Sequence, residues 1–376
     1  MAKLFSFTTL RDRWYRYFFS FSGLRSVSKD LGDGTIMHCW IPRTYRPSKP
    51  NLLLLHGFGA NAMWQYADLL CHFTPKFNVF VPDLLFFGGS FTTRPERSES
   101  FQGKCVMKMM DDGFGVHRMS LVGISYGGFV GYSMCAEFPE AVEKLVVCCA
   151  GICLEEKDLT NGLFKVSDLE EAERILLAQT PEKLRELMKF SFVKPVKGIP
   201  NYFLSDFINN SKNPKINQVI TAPILIPFSS TESCNMIYEY SLHDYAQNLI
   251  VTVLEKGLRY LLFISYPFVF KLSSSNVFFL LYIKQPTLII WGEKDQIFPL
   301  ILGERLERHI GENARLVVIG NAGHAVNFEK SKEFAKHLKD FLFDDSISSL
   351  SSSVSSLSSS ISSLSNSLSF YSCREE

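Results

Sequence analysis

Hydrophobic positions along the chain follow two rhythms. "NLLLLHG" (51–57), "FNVFVPD" (77–83), "MSLVGIS" (119–125) and "KLVVCCAG" (144–151) are short unbroken apolar runs separated by helix-length segments. Strands read this way when both faces of a parallel sheet are covered. The rhythm returns in "PTLIIWG" (286–292) and "ARLVVIG" (314–320), each followed by a segment that suits a helix. Ahead of them, "RSVSKDL" and "TIMHCWIPR" flank a Gly-Asp-Gly turn, the mark of a β-hairpin. Together these runs predict one doubly wound α/β domain over residues 25–152 and 286–343.

Residues 153–285 break the rhythm. Leu169, Ile175, Leu176, Leu184, Leu187 and Met188 recur at helical spacing among Glu, Lys and Arg, predicting an inserted helical cap. The stretch 260–283 is strongly apolar, but Pro267 and Lys271 divide it into arms of about a dozen residues, where a bilayer span needs ~20. It reads as buried cap or as a surface that dips into a membrane. Beyond it, the tail 344–376 is mostly serine, with Ile347, Leu350, Val354, Leu357, Ile361, Leu364 and Leu368 spaced by three and four. That is a heptad seam, yet Ser is a mediocre helix former and no flanking charges select a partner, so a disordered tail is expected. The N-terminal arm 1–24 carries Lys3, Arg11, Arg13 and Arg16 against Asp12. Its basic side chains scatter around a helix and it lacks the apolar core of a secretory signal. An arm packed on the domain is expected, with organelle targeting or membrane-surface contact as the alternative.

Composition narrows the picture. The chain has 376 residues, 46% of them hydrophobic and 14% aromatic, ample for a large packed core. A net charge of +1 supplies no basic field for nucleic acid, so no nucleic-acid partner is expected. Nine cysteines, among them Cys71, Cys135, Cys148 and Cys149, lie mostly in apolar segments, with no C-x-x-C pair and no Cys/His cluster at metal-ligand spacing. They are expected to be reduced and buried, in a cytoplasmic protein that binds no metal.

Candidate chemistry begins at the end of one apolar run. Gly123-Ile124-Ser125-Tyr126-Gly127 fits G-x-S-x-G between a predicted strand and the helical segment "GGFVGYSMCAEF". A serine on so sharp a bend takes strained backbone angles, and small residues two positions away avoid collision. Its hydroxyl attacks poorly until an imidazole takes the proton, and that imidazole needs a carboxylate to fix its tautomer. "WGEKDQIFP" puts Asp295 after one later strand, with Glu293 as a rival acid. "GNAGHAVNFEK" puts His324 after the next. Acyl transfer also generates an oxyanion. The loop "HGFGAN" after the strand "NLLLL" offers the Phe58 N–H to it, with Gly57 and Gly59 permitting close approach, and Tyr126 offers a second N–H. His56 is expected to be a structural hydrogen-bonding residue.

With these stretches in order, the chain resembles the α/β-hydrolase superfamily over about residues 20–343, and within it plant proteins labelled monoacylglycerol-lipase-like or epoxide-hydrolase-like. "DLGDGTIMHCWIPR", "FVPDLLFFGGS" and "QPTLIIWGEKDQIFP" extend the likeness. It implies an eight-stranded, mostly parallel sheet, a helical cap after the sixth strand, a triad of Ser125, Asp295 and His324, and no cofactor. It also favours Asp295 over Glu293. Epoxide hydrolases of this fold carry Asp at the elbow; Ser125 implies ester chemistry. The expected function is a serine hydrolase of apolar carboxylic esters such as monoacylglycerols. A carbon–carbon bond hydrolase and a hormone-type receptor of the same fold are the alternatives. Oligomeric state is left open. Residues 257–284 exceed the family's usual connector and read either as a genuine insert or as translated intron.

Overall fold

The Gly-Asp-Gly hairpin sets the first edge of the sheet. In the computed structural model, which describes residues 6–155, 158, 175–176, 178–211 and 282–344, strand β1 (Leu24–Gly32) turns through Asp33 and Gly34 into β2 (Thr35–Pro42). Asp33 and Gly34 have φ of 53° and 70°, the paired positive values of a type I′ turn. β2 then runs antiparallel to β4 (Asn78–Pro82). From there the sheet is parallel, through β3 (Asn51–Leu55), β6 (Met119–Ile124), β7 (Val142–Cys148), β8 (Thr287–Gly292) and β9 (Ala314–Ile319). The fold is therefore the α/β-hydrolase type.

Two details depart from expectation. Eight strands form the main path, but a ninth, β5 (Phe91–Thr92), pairs with β2, where the Thr92 and Thr35 hydroxyls meet at 2.7 Å. The run "ARLVVIG" does become a strand, yet it is not buried on both faces. Among the described residues β9 ends the strand order, with one neighbour instead of two, and Val318 is 42% exposed. In the central strands β3 and β6, by contrast, Leu52, Leu53, Leu55, Leu121 and Val122 are wholly buried.

Helices follow the strands as the apolar rhythm required. α1 (Phe7–Phe21) precedes β1, α2 (Ala62–Tyr66) follows β3, α3 (Glu99–Lys108) precedes β6, and α4 (Tyr126–Glu137) follows it. Of the expected cap, the described residues contain α5 (Pro181–Ser191) and α6 (Asn201–Ser211). α5 starts at Thr180, whose hydroxyl accepts the Lys183 N–H, with Pro181 at the first position where its missing donor costs nothing. α7 (Ile301–Ile310) lies between β8 and β9, and α8 (Ser331–Leu342) ends the described chain. Most of 153–177, the apolar stretch up to residue 281 and the serine-rich tail from 345 lie outside the described residues.

The chain divides into two compact units, Met1–Ala335 and Lys336–Glu376. The first holds the whole sheet; the second contains, among the described residues, the later turns of α8. The described cysteines carry free thiols, but Cys71 is exposed, against expectation: it stands on the four-residue helix Leu70–Phe73, whose inward positions are taken by Leu70 and Phe73.

The contrast between central and edge strands is measurable. Leu53→Ala should cost about 2–5 kcal/mol in denaturant unfolding, while Val318→Ala should cost under about 1 kcal/mol. Equal costs would contradict the burial difference.

Candidate active site

Ser125 sits where β6 ends and α4 begins, and its backbone is bent out of the allowed regions, with φ 51° and ψ −117°. Such a conformation costs about 1–3 kcal/mol and persists only where the surroundings impose it. Here they do. The Ser125 N–H donates to the Cys148 carbonyl at 2.7 Å and the Gly128 N–H donates back to the Ser125 carbonyl at 2.8 Å. A Cβ on Gly123 would stand 2.3 Å from the Gly127 carbonyl oxygen, and one on Gly127 would stand 2.2 Å from that of Leu55. Both glycines are thus required by close backbone approach. Gly57 passes close as well, though less tightly: a Cβ there would lie 3.3 Å from Ser125 Cβ. The HGFGAN loop therefore lies against the elbow, with Phe58 next along it and Tyr126 opening α4. Gly59 has φ 71°, a left-handed angle suited to glycine.

Two more loops arrive at the same edge. His324 Nε2 lies 2.9 Å from Ser125 Oγ, and Nδ1 lies 2.8 Å from Asp295 Oδ2. A carboxylate only accepts, so Nδ1 carries the proton and Nε2 is left to accept from the serine hydroxyl. Asp295 Oδ1 accepts the N–H groups of Ile297 and Phe298 at 2.8 and 2.9 Å. It therefore also organises its own turn, ahead of the helix that begins at Ile301. The rival acid is elsewhere: Glu293 is exposed and accepts the Asn321 N–H at 2.8 Å. That bond ties the two loops together, as does Lys294 N–H to the Ala322 carbonyl at 2.8 Å.

Glu329 carries no signal in the sequence beyond its place in "NFEK", yet it clamps this corner. Oε2 accepts the Gly323 N–H at 2.7 Å, beside His324, and Oε1 accepts the Val193 N–H at 2.9 Å, just after α5. The Ala325 N–H donates to the Ser191 carbonyl at 2.9 Å, so the end of α5 is fastened to the histidine loop.

His56 is fully buried and belongs to a different network. Its Nε2 accepts the Leu84 N–H at 2.9 Å, which leaves Nδ1–H to donate to the Gly57 carbonyl at 2.8 Å. Burial lowers its pKa and keeps it neutral. Nearby Asp83 accepts the Ala62 N–H through Oδ1 and the Gly89 N–H through Oδ2, both at 2.9 Å. Burial alone would raise its pKa, but the hydrogen bond and charge of His38 hold it below the ordinary carboxylate value. His38 Nδ1 lies 2.8 Å from Asp83 Oδ2, and its Nε2 lies 2.7 Å from Ser26 Oγ. Residues 26, 38 and 83 thus form a second serine–histidine–carboxylate array. Ser26, however, lies in a regular strand, paired with Trp40, with none of the strain found at Ser125.

Among the described residues, one cluster gathers metal-ligand side-chain types. The Cys149 sulfur, an Asp295 oxygen and a His324 nitrogen fall within 4.8 Å of one another. Both Asp295 oxygens and both ring nitrogens are already engaged, and burial pushes the Cys149 thiol well up, keeping it protonated. The set fits a hydrogen-bonded relay better than a cation. The Phe298 ring meets those of His324 and Phe129 at a tilt, with ring centroids 5.7 Å apart in each pair, while Phe58 meets Phe87 edge-on at 5.4 Å.

A mostly parallel sheet with a strained serine, an imidazole and a buried carboxylate at the carboxyl ends of its strands defines a hydrolase of the α/β-hydrolase type. A profile of the alpha/beta hydrolase fold family matches residues 50–331, and the chain belongs to that family. It is 26% identical to monoacylglycerol lipase ABHD6 of Mus musculus over 81% of this chain and 79% of that protein. It is 25% identical to epoxide hydrolase 3 of Xenopus tropicalis over 79% of this chain and 72% of that one. Among solved structures, a meta-cleavage product hydrolase from Pseudomonas fluorescens IP01 superposes with a TM-score of 0.57 at 19% identity, over 86% of this chain and 99% of that one.

His56 of the HGFGAN loop and the neighbouring buried Asp83 should make the protein acid-labile in two steps. The unfolded chain protonates His56 near pH ~6.5 while the folded protein resists, so the stability held by neutral His56 is present above that pH and lost as pH falls through it. Asp83 contributes stability above its ordinary pKa of 3.8, lost as pH falls further through its lowered value. Thermal midpoints taken from about pH 8 to about pH 3 should fall in both windows, and His56→Gln should flatten the upper one.

Proposed function

We propose that the protein is a serine esterase of lipase-like type that hydrolyses carboxylic esters of apolar acids through an acyl-enzyme. Monoacylglycerols are the first candidate substrates. The carrying observation is the unbroken hydrogen-bond chain from Ser125 through His324 to Asp295, on a serine whose backbone is held in strain. His324 takes the Ser125 proton as Oγ attacks the ester carbonyl, and Asp295 stabilises the imidazolium that forms. The N–H groups of Phe58 and Tyr126 receive the developing oxyanion, each worth about 3 kcal/mol. His324 then returns the proton to the leaving alcohol, and a water activated by the same nitrogen releases the acid. No cofactor enters either half-reaction. The aromatic rings of Phe58, Phe129 and Phe298 next to this chain support an apolar acyl group. Similarity to a monoacylglycerol lipase supports the same class, and a serine in place of an elbow aspartate sets the chain apart from epoxide opening.

A fluorophosphonate probe should label one residue, identified by peptide mapping as Ser125. Label on Ser26 instead, or none in folded protein, would defeat the assignment. Ser125→Ala should lower kcat/KM for p-nitrophenyl esters by at least about a thousandfold. Covalent labelling without multiple turnover of any ester would point to a receptor.

Asp295→Asn should lower kcat by about 10⁴-fold because the imidazole would adopt the wrong tautomer, whereas Glu293→Gln should change it less than about threefold. The reverse order would move the acid to Glu293.

A further inference from the structure

Helix α1 has two apolar faces, and the fold uses one. Thr8, Asp12, Tyr15 and Phe19, spaced by four, three and four, turn inward: Thr8, Tyr15 and Phe19 are buried. Asp12 accepts the Trp64 indole N–H at 2.6 Å, and Tyr15 meets the Trp64 ring edge-on at 5.4 Å. Ser6 and the Thr8 N–H both donate to Asp206 of α6, at 3.0 and 2.9 Å, and Trp64 also meets Phe207 at 5.5 Å. The helix is thereby fixed to α2, which follows the HGFGAN loop, and to α6.

The other face points outward. Phe7, Leu10, Trp14, Tyr17 and Phe21 are spaced by three, four, three and four, which at 3.6 residues per turn confines them to a strip about 80° wide. They are 46%, 55%, 62%, 62% and 77% exposed. Trp14, Tyr17 and Phe21 form a row of neighbouring rings 6.1 and 6.2 Å apart. Phe7 meets Phe203 at 5.4 Å, and Tyr202 and Phe203, 59% and 39% exposed, continue the surface onto α6. Placing this many large apolar side chains in water is costly, and monomeric proteins seldom expose so contiguous a patch without use.

Charge decides what covers it. On the helical wheel Arg11 and Arg13 flank the strip on opposite sides; the Arg11 guanidinium donates to the Tyr15 hydroxyl at 2.9 Å and lies over the Tyr15 and Trp64 rings, while Arg13, Arg16 and Arg25 are exposed. The helix's single acid, Asp12, is turned inward, where burial raises its pKa. A second copy seated on this strip would bring arginine rims together, a like-charge arrangement that opposes self-association. Tryptophan and tyrosine beside arginine suit a bilayer interface, with rings at headgroup depth and guanidinium groups on phosphate. Among the described residues no helix is long and apolar enough to cross a membrane, so a surface contact is the arrangement open to this one.

We propose that the outer face of α1, continued by Tyr202 and Phe203, docks the protein on a lipid surface carrying anionic headgroups. The docked helix is fastened through Trp64 to α2, which follows the HGFGAN loop, and through Asp206 to α6.

The test is sedimentation of the full chain with vesicles of phosphatidylcholine alone or mixed with phosphatidylserine. The wild type should bind the mixed vesicles and partition at least about fivefold more weakly onto phosphatidylcholine, as expected for loss of even one arginine's attraction. Trp14→Ser with Tyr17→Ser and Phe21→Ser should weaken binding about tenfold or more. Arg13→Gln should reduce the preference for phosphatidylserine about fivefold. Unchanged circular dichroism and thermal midpoint would show that each variant folds, a readout independent of the ester reading. Absence of wild-type binding, equal binding by the apolar-strip variant, or a homodimer that this variant dissolves in light scattering would each overturn the proposal.

Discussion

The structure turns on close approach of backbone to backbone at the carboxyl edge of the sheet. Gly127 must pass within contact of the Leu55 and His56 carbonyls, and Gly123 within contact of Gly127 and Gly128. Only when β3, β6 and the start of α4 are pressed together in this way is Ser125 held at φ 51°. The strain is local, but the force that sustains it is spread over the sheet. Leu52, Leu53, Leu55, Leu121, Val122 and Val147 are buried on parallel neighbours, and their burial offsets a cost of about 1–3 kcal/mol at one residue.

The same logic governs the histidine and its carboxylate. A buried carboxylate is costly unless its oxygens are satisfied. Asp295 meets that condition with three donors: His324 on one oxygen, and the Ile297 and Phe298 N–H groups on the other. The bonds that shape its loop therefore also fix the aim of Oδ2. Capping a turn and orienting an imidazole are here two halves of one arrangement. Gly292 adds to this, since a side chain there would strike the Gly323 carbonyl at 2.1 Å and push the two loops apart.

What was legible in the sequence follows from the range of the interactions. Continuous apolar runs announced β3, β4, β6, β7 and β8 because burial on both faces leaves no polar position, and Gly-Asp-Gly announced the hairpin because few residues tolerate two successive positive φ angles. The same rule misjudged β9, whose sequence resembles its neighbours although its place at the edge exposes Val318. The elbow, Asp295 and His324 were legible as short motifs after strands. Glu329 and the network of Ser26, His38 and Asp83 were not, since each joins positions far apart in sequence through side-chain geometry: Glu329 reaches Val193, and Asp83 reaches His38.

The N-terminal segment shows what charge alone leaves out. Read by its basic residues, the arm has no face, because Arg11, Arg13 and Arg16 fall at separate angles around a helix. Read by its apolar residues it has two, with Thr8, Tyr15 and Phe19 on one and Phe7, Leu10, Trp14, Tyr17 and Phe21 on the other. A helix apolar on both sides cannot be satisfied by one protein surface. The inner face is taken up by Trp64 and the sheet's flank, as the Phe19–Trp40 ring contact at 5.1 Å and the Tyr15–Trp64 contact illustrate. The outer face then presents a continuous aromatic edge bordered by arginines, and such an edge lowers its free energy most where apolar chains and negative charge occur together, at the surface of a lipid phase.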